Sequence, residues 1–567
     1  MTGLLRTVRD ALIALLFVLP SMSFAQTPDP SKDVQSHISA VENGLLPPVV
    51  FEDDPHPGKT LAERMAALHV PGVSIAVMRN GKLEWAKGYG VAGSGGAAVN
   101  ADTLFQAGSI SKPLAALAAL RLVEQGKLSL DTDINTYLTS WKLAASDAAK
   151  GKVVTLRQLL THTGGMTVHG FPGYATGVPV PSVVQVLNGG PPANTPAIRI
   201  EAEPGTKWNY SGGGFTIMQQ AVVDVSPKTF PALLHDTVLA PMGMTRSTYE
   251  QPLPSAARSN AAEPFDSKGQ PIAGGAHTYP EMAAAGLWTT PSELVRYAME
   301  IRSSLDGKSS RVISPSMTRQ MLTAGIGGWG LGLQIGGPPG NPWFGHGGAN
   351  EGFRNDFFVY EKSGDGVFIM TNGDNGGALA NEIERAVAEE YHWPDHHPAR
   401  RASRAPTPGL EALARRIMEG DAKGEPALDI MSPGLANAAR AQHDSLLKSY
   451  ARSGPLKSLT FQGPAGMGDS YLAVFEYNSR NISISLGADG KVASFGMGPF
   501  LPQTGEQLKA SFKAIDLNAD GKLDKTEYKT MLTTIGYPEL FDSLFTPIDD
   551  DKDGLLTAKE YEAHPQQ

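Results

Sequence analysis

A serine that stands three residues before a lysine, Ser109 and Lys112, is the first place where this chain could do chemistry. Gly108 precedes the serine, and the apolar run that follows, with Pro113 in its first turn, predicts a buried helix. One helical turn would set the lysine amine beside the hydroxyl. Burial and the positive end of the helix dipole would lower the pKa of the amine, so that it could accept the hydroxyl proton. Taken alone, however, such a tetrapeptide more often contains a serine that only caps a helix.

Two glycine-rich segments supply further groups that could act with this serine. Residues 207–215 present Tyr210, a phenol that could move a proton. Residues 345–354 predict a strand edge, where glycines would allow the backbone to come close to a ligand. The other positions of interest in the two segments are Ser211, Gly212, His346, Gly347, Gly348 and Ala349. An auxiliary Leu-Leu-Thr-His-Thr-Gly-Gly run lies at 159–165, between the serine and the tyrosine.

The order of these motifs resembles that of the serine hydrolases of the class C β-lactamase and penicillin-binding-protein type, over roughly residues 60–395. That family also holds esterases, D-aminopeptidases and D-Ala-D-Ala carboxypeptidases. The resemblance implies that Ser109 is the acylated nucleophile, that Lys112 moves the proton, and that Tyr210 is the general base, as a phenolate or through coupling to the lysine. It also implies an oxyanion hole formed by the backbone N–H groups of Ser109 and Ala349, and no cofactor for the catalytic step. The substrate would contact Ser211, Gly212, His346, Gly347 and Gly348.

Two departures from the family pattern bear on the substrate. Gly212 stands where β-lactamases usually carry an asparagine, and His346 stands where many relatives carry the lysine of a Lys-Thr-Gly triplet. Both changes favour a small ester, amide or peptide over a β-lactam. Because histidine is cationic below about pH 6.5, a carboxylate-bearing substrate remains possible. His162, in the auxiliary run, is expected to be a structural histidine that hydrogen-bonds within its turn.

Two acidic segments near the end of the chain match the twelve-residue calcium loop of the EF-hand. Oxygen-bearing side chains, a central glycine and a final glutamate follow the spacing that this loop requires. The first loop would bind calcium through the side chains of Asp516, Asn518, Asp520, Asp524 and Glu527 and through the backbone carbonyl of Lys522. The second would do so through the side chains of Asp549, Asp551, Asp553, Thr557 and Glu560 and through the backbone carbonyl of Leu555. The sequence therefore predicts a pair of EF-hands that holds two calcium ions.

Composition and charge narrow the class of protein. The chain has 567 residues, no cysteine and a formal net charge of −9, so disulfides and nucleic-acid binding are not expected. Residues 1–25 combine Arg6 and Arg9, a short apolar run and a Ser-Phe-Ala site before Gln26, which predicts a cleaved signal peptide. The apolar run is too short to span a bilayer. We therefore expect an exported protein, periplasmic or secreted, with no transmembrane span after cleavage.

The pattern of elements predicts an α+β fold: a β-lactamase-like antiparallel sheet packed by helices, then a small α+β domain and an all-α EF-hand pair. The expected divisions are a signal peptide (1–25), a flexible lead-in (26–57), the hydrolase domain (58–395), a linker (396–409), an accessory domain (410–502) and the EF-hand pair (503–567). The leading hypothesis is a serine hydrolase for small esters or amides. The alternatives are a β-lactamase or D-Ala-D-Ala carboxypeptidase, and a non-catalytic, calcium-dependent binding protein.

Overall fold

The computed structural model describes residues 32–487, 489–534 and 541–563, so the expected signal peptide lies outside the described residues. An antiparallel sheet of six strands forms the centre of the first domain, in the order β2-β1-β6-β5-β4-β3. Its strands are β1 (Gly72–Arg79), β2 (Lys82–Gly90), β3 (Gln334–Gly336), β4 (Trp343–Asn350), β5 (Phe353–Tyr360) and β6 (Gly366–Thr371). The chain thus leaves the sheet after one hairpin and returns about 240 residues later, counting from the end of β2 to the start of β3.

Both faces of this sheet are covered, and strand β1 shows how. Ala76 and Met78 belong to one apolar cluster, whereas Val73, Ile75 and Val77 belong to the other, as the two-residue period of a strand requires. The main helices of the first cluster are α3 (Ser111–Glu124), α4 (Gly212–Asp224), α5 (Met282–Ala285) and α6 (Pro291–Leu305). The second face is covered by α1 (Lys32–Asn43), α2 (Leu61–Ala67) and α7 (Gly376–Glu390).

The long segment between the hairpin and the returning strands is rich in loops and short helices. Beyond α3 to α6 it contains the helices Leu156–Leu160, Val183–Asn188, Phe230–Leu234, Ala240–Met242, Ser255–Arg258 and Pro315–Met321. It also holds a short antiparallel pair, Phe105–Gln106 with Trp288–Thr289, which ties the chain just before Ser109 to the chain just before α6.

The expected flexible lead-in is wrong for its described part. Helix α1 buries Ile38 and Val41 against the second face of the sheet, and Val49–Phe51 pairs in parallel with Ala399–Arg401. The expected linker over 396–409 therefore contains a strand as well. Apolar residues at positions 38, 41 and 45 have helical spacing, and burying them stabilises a segment whose prolines suggest a loop.

The second domain has the small α+β form expected over 410–502. Helices α8 (Leu410–Lys423), α9 (Pro433–Ala441) and α10 (His443–Ser453) pack on an antiparallel sheet whose strands follow one another in sequence. These strands are β7 (Leu456–Ala465), β8 (Gly468–Phe475), β9 (Ser479–Leu486) and β10 (Val492–Leu501). The α+β architecture is thus confirmed.

The last unit has its own apolar cluster and carries the two acidic loops. Its helices are α11 (Gly505–Ile515), α12 (Lys525–Thr534), α13 (Phe541–Phe545) and α14 (Ala558–Ala563). It is not purely helical, because Lys522–Asp524 pairs in antiparallel fashion with Leu555–Thr557. Across the part of the chain that the structure describes, we find no helix with the length and apolar character of a membrane span.

Candidate active site

The candidate nucleophile lies at the junction between a 3-10 turn and the buried helix α3. The turn spans Gly108–Ile110, and Gly108 has a positive φ of 55°. A Cβ on this glycine would lie 2.5 Å from the backbone nitrogen of Ala349, which is too close for any other residue. The turn and strand β4 therefore touch, and the backbone N–H groups expected to form the oxyanion hole, those of Ser109 and Ala349, lie in adjacent segments.

Lys112 is held against the serine inside the domain. Its Nζ lies 2.9 Å from Ser109 Oγ and 2.8 Å from the carbonyl oxygen of Ala284 on helix α5. The side chain is only 2% exposed, and burial lowers its pKa to about 7. A large share of Lys112 is therefore a neutral amine near neutral pH, which is the form that can accept a proton from Ser109.

Tyr210 completes the group around the serine. The Ser109 side chain lies near enough to its hydroxyl to lower the pKa of that group, and the Lys112 side-chain nitrogen lies 5.0 Å from the centre of its ring. Burial raises the pKa of the Tyr210 hydroxyl above its usual value of 10.0. The phenolate form that the family resemblance suggested is thus disfavoured, and the lysine is the group whose pKa suits a base at neutral pH.

The structure gives the next two residues of the second motif a different role from the expected one. Ser211 is buried, and its Oγ donates to the carbonyl oxygen of Thr167 and accepts from Gly214 N–H, so that it caps helix α4. Gly212 is buried, and a Cβ there would lie 2.9 Å from the Phe171 ring. The Ser211 hydroxyl is therefore already engaged in the cap, and the substrate contacts expected at Ser211 and Gly212 stay predictions.

His162 positions the second motif. Its Nδ1 accepts a 3.1 Å hydrogen bond from Ser211 N–H, and its ring centre lies 4.2 Å from that of Tyr210. Burial and the nearby Lys112 charge hold the pKa of His162 well below its usual range. The side chain of His162 thus bonds to the loop that carries Tyr210, whereas the expected bond within its own turn is not seen: among the described residues Nε2 has no hydrogen-bond partner.

His346 is neutral in this environment. Burial, together with the Lys112 charge, lowers its pKa to about 3, so the expectation of a cation below pH 6.5 is wrong. Its Nδ1 lies 2.5 Å from the carbonyl oxygen of Gly347, and its Nε2 has no hydrogen-bond partner among the described residues. Gly347 is exposed on the strand edge. Gly348 is fixed by packing, since a Cβ there would lie 2.0 Å from the Ala107 carbonyl oxygen.

Two tryptophans that the sequence motifs did not predict form an aromatic wall beside the nucleophile. The ring centre of Trp329 lies 5.9 Å from that of Tyr210, 5.4 Å from that of His346 and 5.6 Å from that of Trp208. Trp208 is 38% exposed and so reaches the surface. The sequence could have indicated both tryptophans as site residues, because Trp208 lies two residues before Tyr210 and Trp329 lies within a glycine-rich run at 325–332.

The calcium loops have the arrangement that the EF-hand requires. Leu523 and Leu556 are paired in the short sheet that joins the loops. In the second loop, carboxylate oxygens of Asp549, Asp551 and Asp553 all lie within 4.8 Å of one another. In the first, the final glutamate, Glu527, already points into the loop and accepts from the N–H groups of residues 517, 518 and 524. The residues present therefore fit calcium.

Comparisons with known proteins agree with this architecture. The chain is 28% identical over 357 residues to penicillin-binding protein 4 of Amycolatopsis lactamdurans, which covers 58% of this chain and 88% of that protein. It is 25% identical over 240 residues to protein flp of Staphylococcus aureus, covering 41% and 44% of the two chains. The octameric penicillin-binding protein homologue from Pyrococcus abyssi has the same fold, with a TM-score of 0.53 and 19% identity over 78% of this chain and 97% of that one.

Two family models match separate parts of the chain. A model described as EF hand matches residues 508–532, which contain the first of the two acidic loops. A model described as Beta-lactamase matches residues 58–392, more than half of the chain and all of the site around Ser109. This protein therefore belongs to the β-lactamase family.

Proposed function

We propose that the protein is an exported serine hydrolase that cleaves ester or amide bonds of small substrates through an acyl-enzyme on Ser109. The observation that carries the proposal is the 2.9 Å contact between Ser109 Oγ and the buried amine of Lys112. With its pKa lowered to about 7, this amine is both close enough and basic enough to activate the hydroxyl. The predicted signal peptide at 1–25 supports export.

In the proposed acylation step, Lys112 accepts the hydroxyl proton while Ser109 Oγ attacks the substrate carbonyl carbon. The backbone N–H groups of Ser109 and Ala349 donate to the oxyanion, an interaction typically worth a few kcal/mol. The proton then passes through the Tyr210 hydroxyl to the leaving oxygen or nitrogen as the bond to the carbonyl carbon breaks. Water next attacks the acyl carbon, and its proton passes through the Lys112–Tyr210 pair to Ser109 Oγ as the bond between Oγ and the acyl carbon breaks, so that the free acid leaves and the serine is restored.

The walls of the site favour a neutral, apolar acyl group. His346 is neutral at the position where a cation would pair with a substrate carboxylate. Trp208 and Trp329 offer aromatic surface beside the nucleophile. Burying an apolar acyl group against such surface is favourable, whereas burying an unpaired carboxylate there is costly.

The second candidate is a β-lactamase or D-Ala-D-Ala carboxypeptidase, which the name of the Amycolatopsis relative favours. One comparison separates the two: kcat/KM for p-nitrophenyl butyrate against kcat/KM for the β-lactam nitrocefin, with Ser109→Ala as the blank. The proposal expects ester turnover that is lost in Ser109→Ala, and nitrocefin turnover at least about a hundredfold lower. A preference for nitrocefin would favour the second candidate. If neither substrate is turned over and a fluorophosphonate leaves Ser109 unlabelled, the enzyme proposal fails and a non-catalytic, calcium-dependent binding protein takes its place.

We also propose that the EF-hand pair at 503–567 binds two calcium ions and that calcium stabilises this unit. In the first loop, the carboxylates of Asp516, Asp520 and Glu527 would be the main ligands. In the second, the carboxylates of Asp549, Asp553 and Glu560 would take this role. The other predicted loop positions would complete each set. When bound, calcium offsets the repulsion between these clustered acidic groups. Catalysis at Ser109 needs no metal in this proposal.

A further inference from the structure

A partly enclosed cavity lies between the accessory domain and the EF-hand pair, far in sequence from the residues around Ser109. Its volume of about 380 Å³ is within the usual range for small-molecule pockets. Apolar side chains from both units line it: Tyr477, Phe500, Ile515, Met531, Leu544 and Tyr561. None of the residues assigned to hydrolysis lines it, and of the predicted calcium ligands Glu527 does.

The two units are fixed to each other around this cavity. Gln507 Nε2 donates to the Phe475 carbonyl oxygen and to Ser479 Oγ, at 3.2 and 2.9 Å. Gln503 Nε2 donates to the Tyr477 carbonyl oxygen and to Ser511 Oγ. These bonds join helix α11, and the segment that precedes it, to strands β8 and β9. The cavity walls therefore hold a defined position.

Positive charge stands at one wall without a carboxylate to balance it. Arg452, which lines the cavity, has its guanidinium carbon 4.6 Å from the centre of the Phe500 ring. Arg480 lies 4.4 Å from the same ring centre. Within the described residues, no carboxylate oxygen comes within 4.0 Å of either guanidinium. Two cations on one ring repel each other, and an anion between the cavity and this wall would relieve that repulsion.

Two residues of the cavity wall carry hydrogen-bond acceptors that are not used. Asn478 and Gln503 line the cavity, and their side-chain carbonyl oxygens are buried without a partner among the described residues. Each of these amides uses its nitrogen to bond to a backbone carbonyl, so the oxygen is the free end. Glu527 also lines the cavity, but its oxygens accept backbone N–H groups of the calcium loop. Because both amide oxygens are enclosed by protein, Arg452 supplies the charge that a ligand would meet at this wall.

We propose that this cavity is a binding site for a small amphipathic acid, with an apolar or aromatic body and one carboxylate. The body lies against Tyr477, Ile515 and Met531, and the carboxylate pairs with Arg452. The charge of Arg452 makes an anion a better ligand than a neutral molecule of the same shape.

The test is a fluorescence titration of the mature, calcium-loaded protein with 8-anilinonaphthalene-1-sulfonate, an anionic aromatic probe. Its neutral relative, N-phenyl-1-naphthylamine, has the same rings without the sulfonate. Arg452→Gln removes the cation, and Ala514→Trp fills the cavity from helix α11. Arg440→Gln, on the exposed side of α9, is the matched control. Unchanged ester hydrolysis and circular dichroism check that the variants fold.

We expect Arg452→Gln to raise the Kd of the anionic probe at least about tenfold and that of the neutral probe no more than about twofold. Ala514→Trp should raise both Kd values about tenfold or more, whereas Arg440→Gln should change neither Kd. Decanoate should displace the anionic probe from the wild-type protein. Three results overturn the proposal: no saturable binding of the anionic probe, equal binding by wild type and Arg452→Gln, or no displacement by decanoate.

Discussion

The pH dependence of hydrolysis follows directly from the burial of Lys112. At its ordinary pKa of 10.5, only about one lysine in 3,000 would be neutral at pH 7. With the pKa lowered to about 7, about half is neutral at that pH. Because the neutral amine is the base, kcat/KM should rise about tenfold per pH unit up to pH 6 and level off above pH 8. Burial of Tyr210 raises its pKa, so this phenol should add no ionisation in that interval.

The assay is hydrolysis of p-nitrophenyl butyrate from pH 5 to pH 9, with the Ser109→Ala rate subtracted at each pH. Lys112→Arg should abolish the sigmoid and lower kcat/KM by at least about a hundredfold, because arginine stays protonated at every pH of the assay. Lys127→Arg, on the exposed surface just after helix α3, serves as the matched lysine-to-arginine control and should leave both the profile and the rate unchanged. A flat profile, or a midpoint above pH 9, would refute the assignment of Lys112 as the base.

Three further predictions follow from the same geometry. Tyr210→Phe removes the hydroxyl beside Ser109, so kcat should fall by about 10²–10⁴ while the protein stays folded. An unchanged kcat would exclude a proton-transfer role. Gly108→Ala places a Cβ 2.5 Å from Ala349 N and must push the oxyanion hole apart, so kcat should fall by about a hundredfold with KM little affected; full activity would show that strand β4 can yield. Calcium should raise the melting temperature of the EF-hand pair, as measured by calorimetry, and the double variant Glu527→Gln, Glu560→Gln should lose most of that rise. A rise that persists in the variant would show that calcium binds elsewhere.

The sequence was most informative where local spacing decides the geometry. Ser109 and Lys112 are three positions apart, so their contact follows from the helical turn itself. The acidic loops likewise carry their geometry in twelve consecutive residues. The hairpin of β1 and β2 follows from an Asn-Gly turn at 80–81 between apolar runs.

The sequence was less informative where distant segments meet. Ser211 looked available to a substrate, but its hydroxyl is used by Thr167 and Gly214, and this depends on how the 167–171 segment folds back. The neutral state of His346 likewise follows from burial beside Lys112, which no spacing in the sequence could reveal. The helix at 32–43 was missed because its apolar positions are stabilised by the back of the sheet, and that contact is formed only in the folded chain.

The central claim, that Ser109 forms an acyl-enzyme, is tested most directly by mass spectrometry of the mature protein after reaction with a fluorophosphonate. The account predicts one adduct per chain, located on the peptide that contains Ser109 and absent from Ser109→Ala. An unlabelled wild-type protein, or a label that persists in Ser109→Ala, would contradict it.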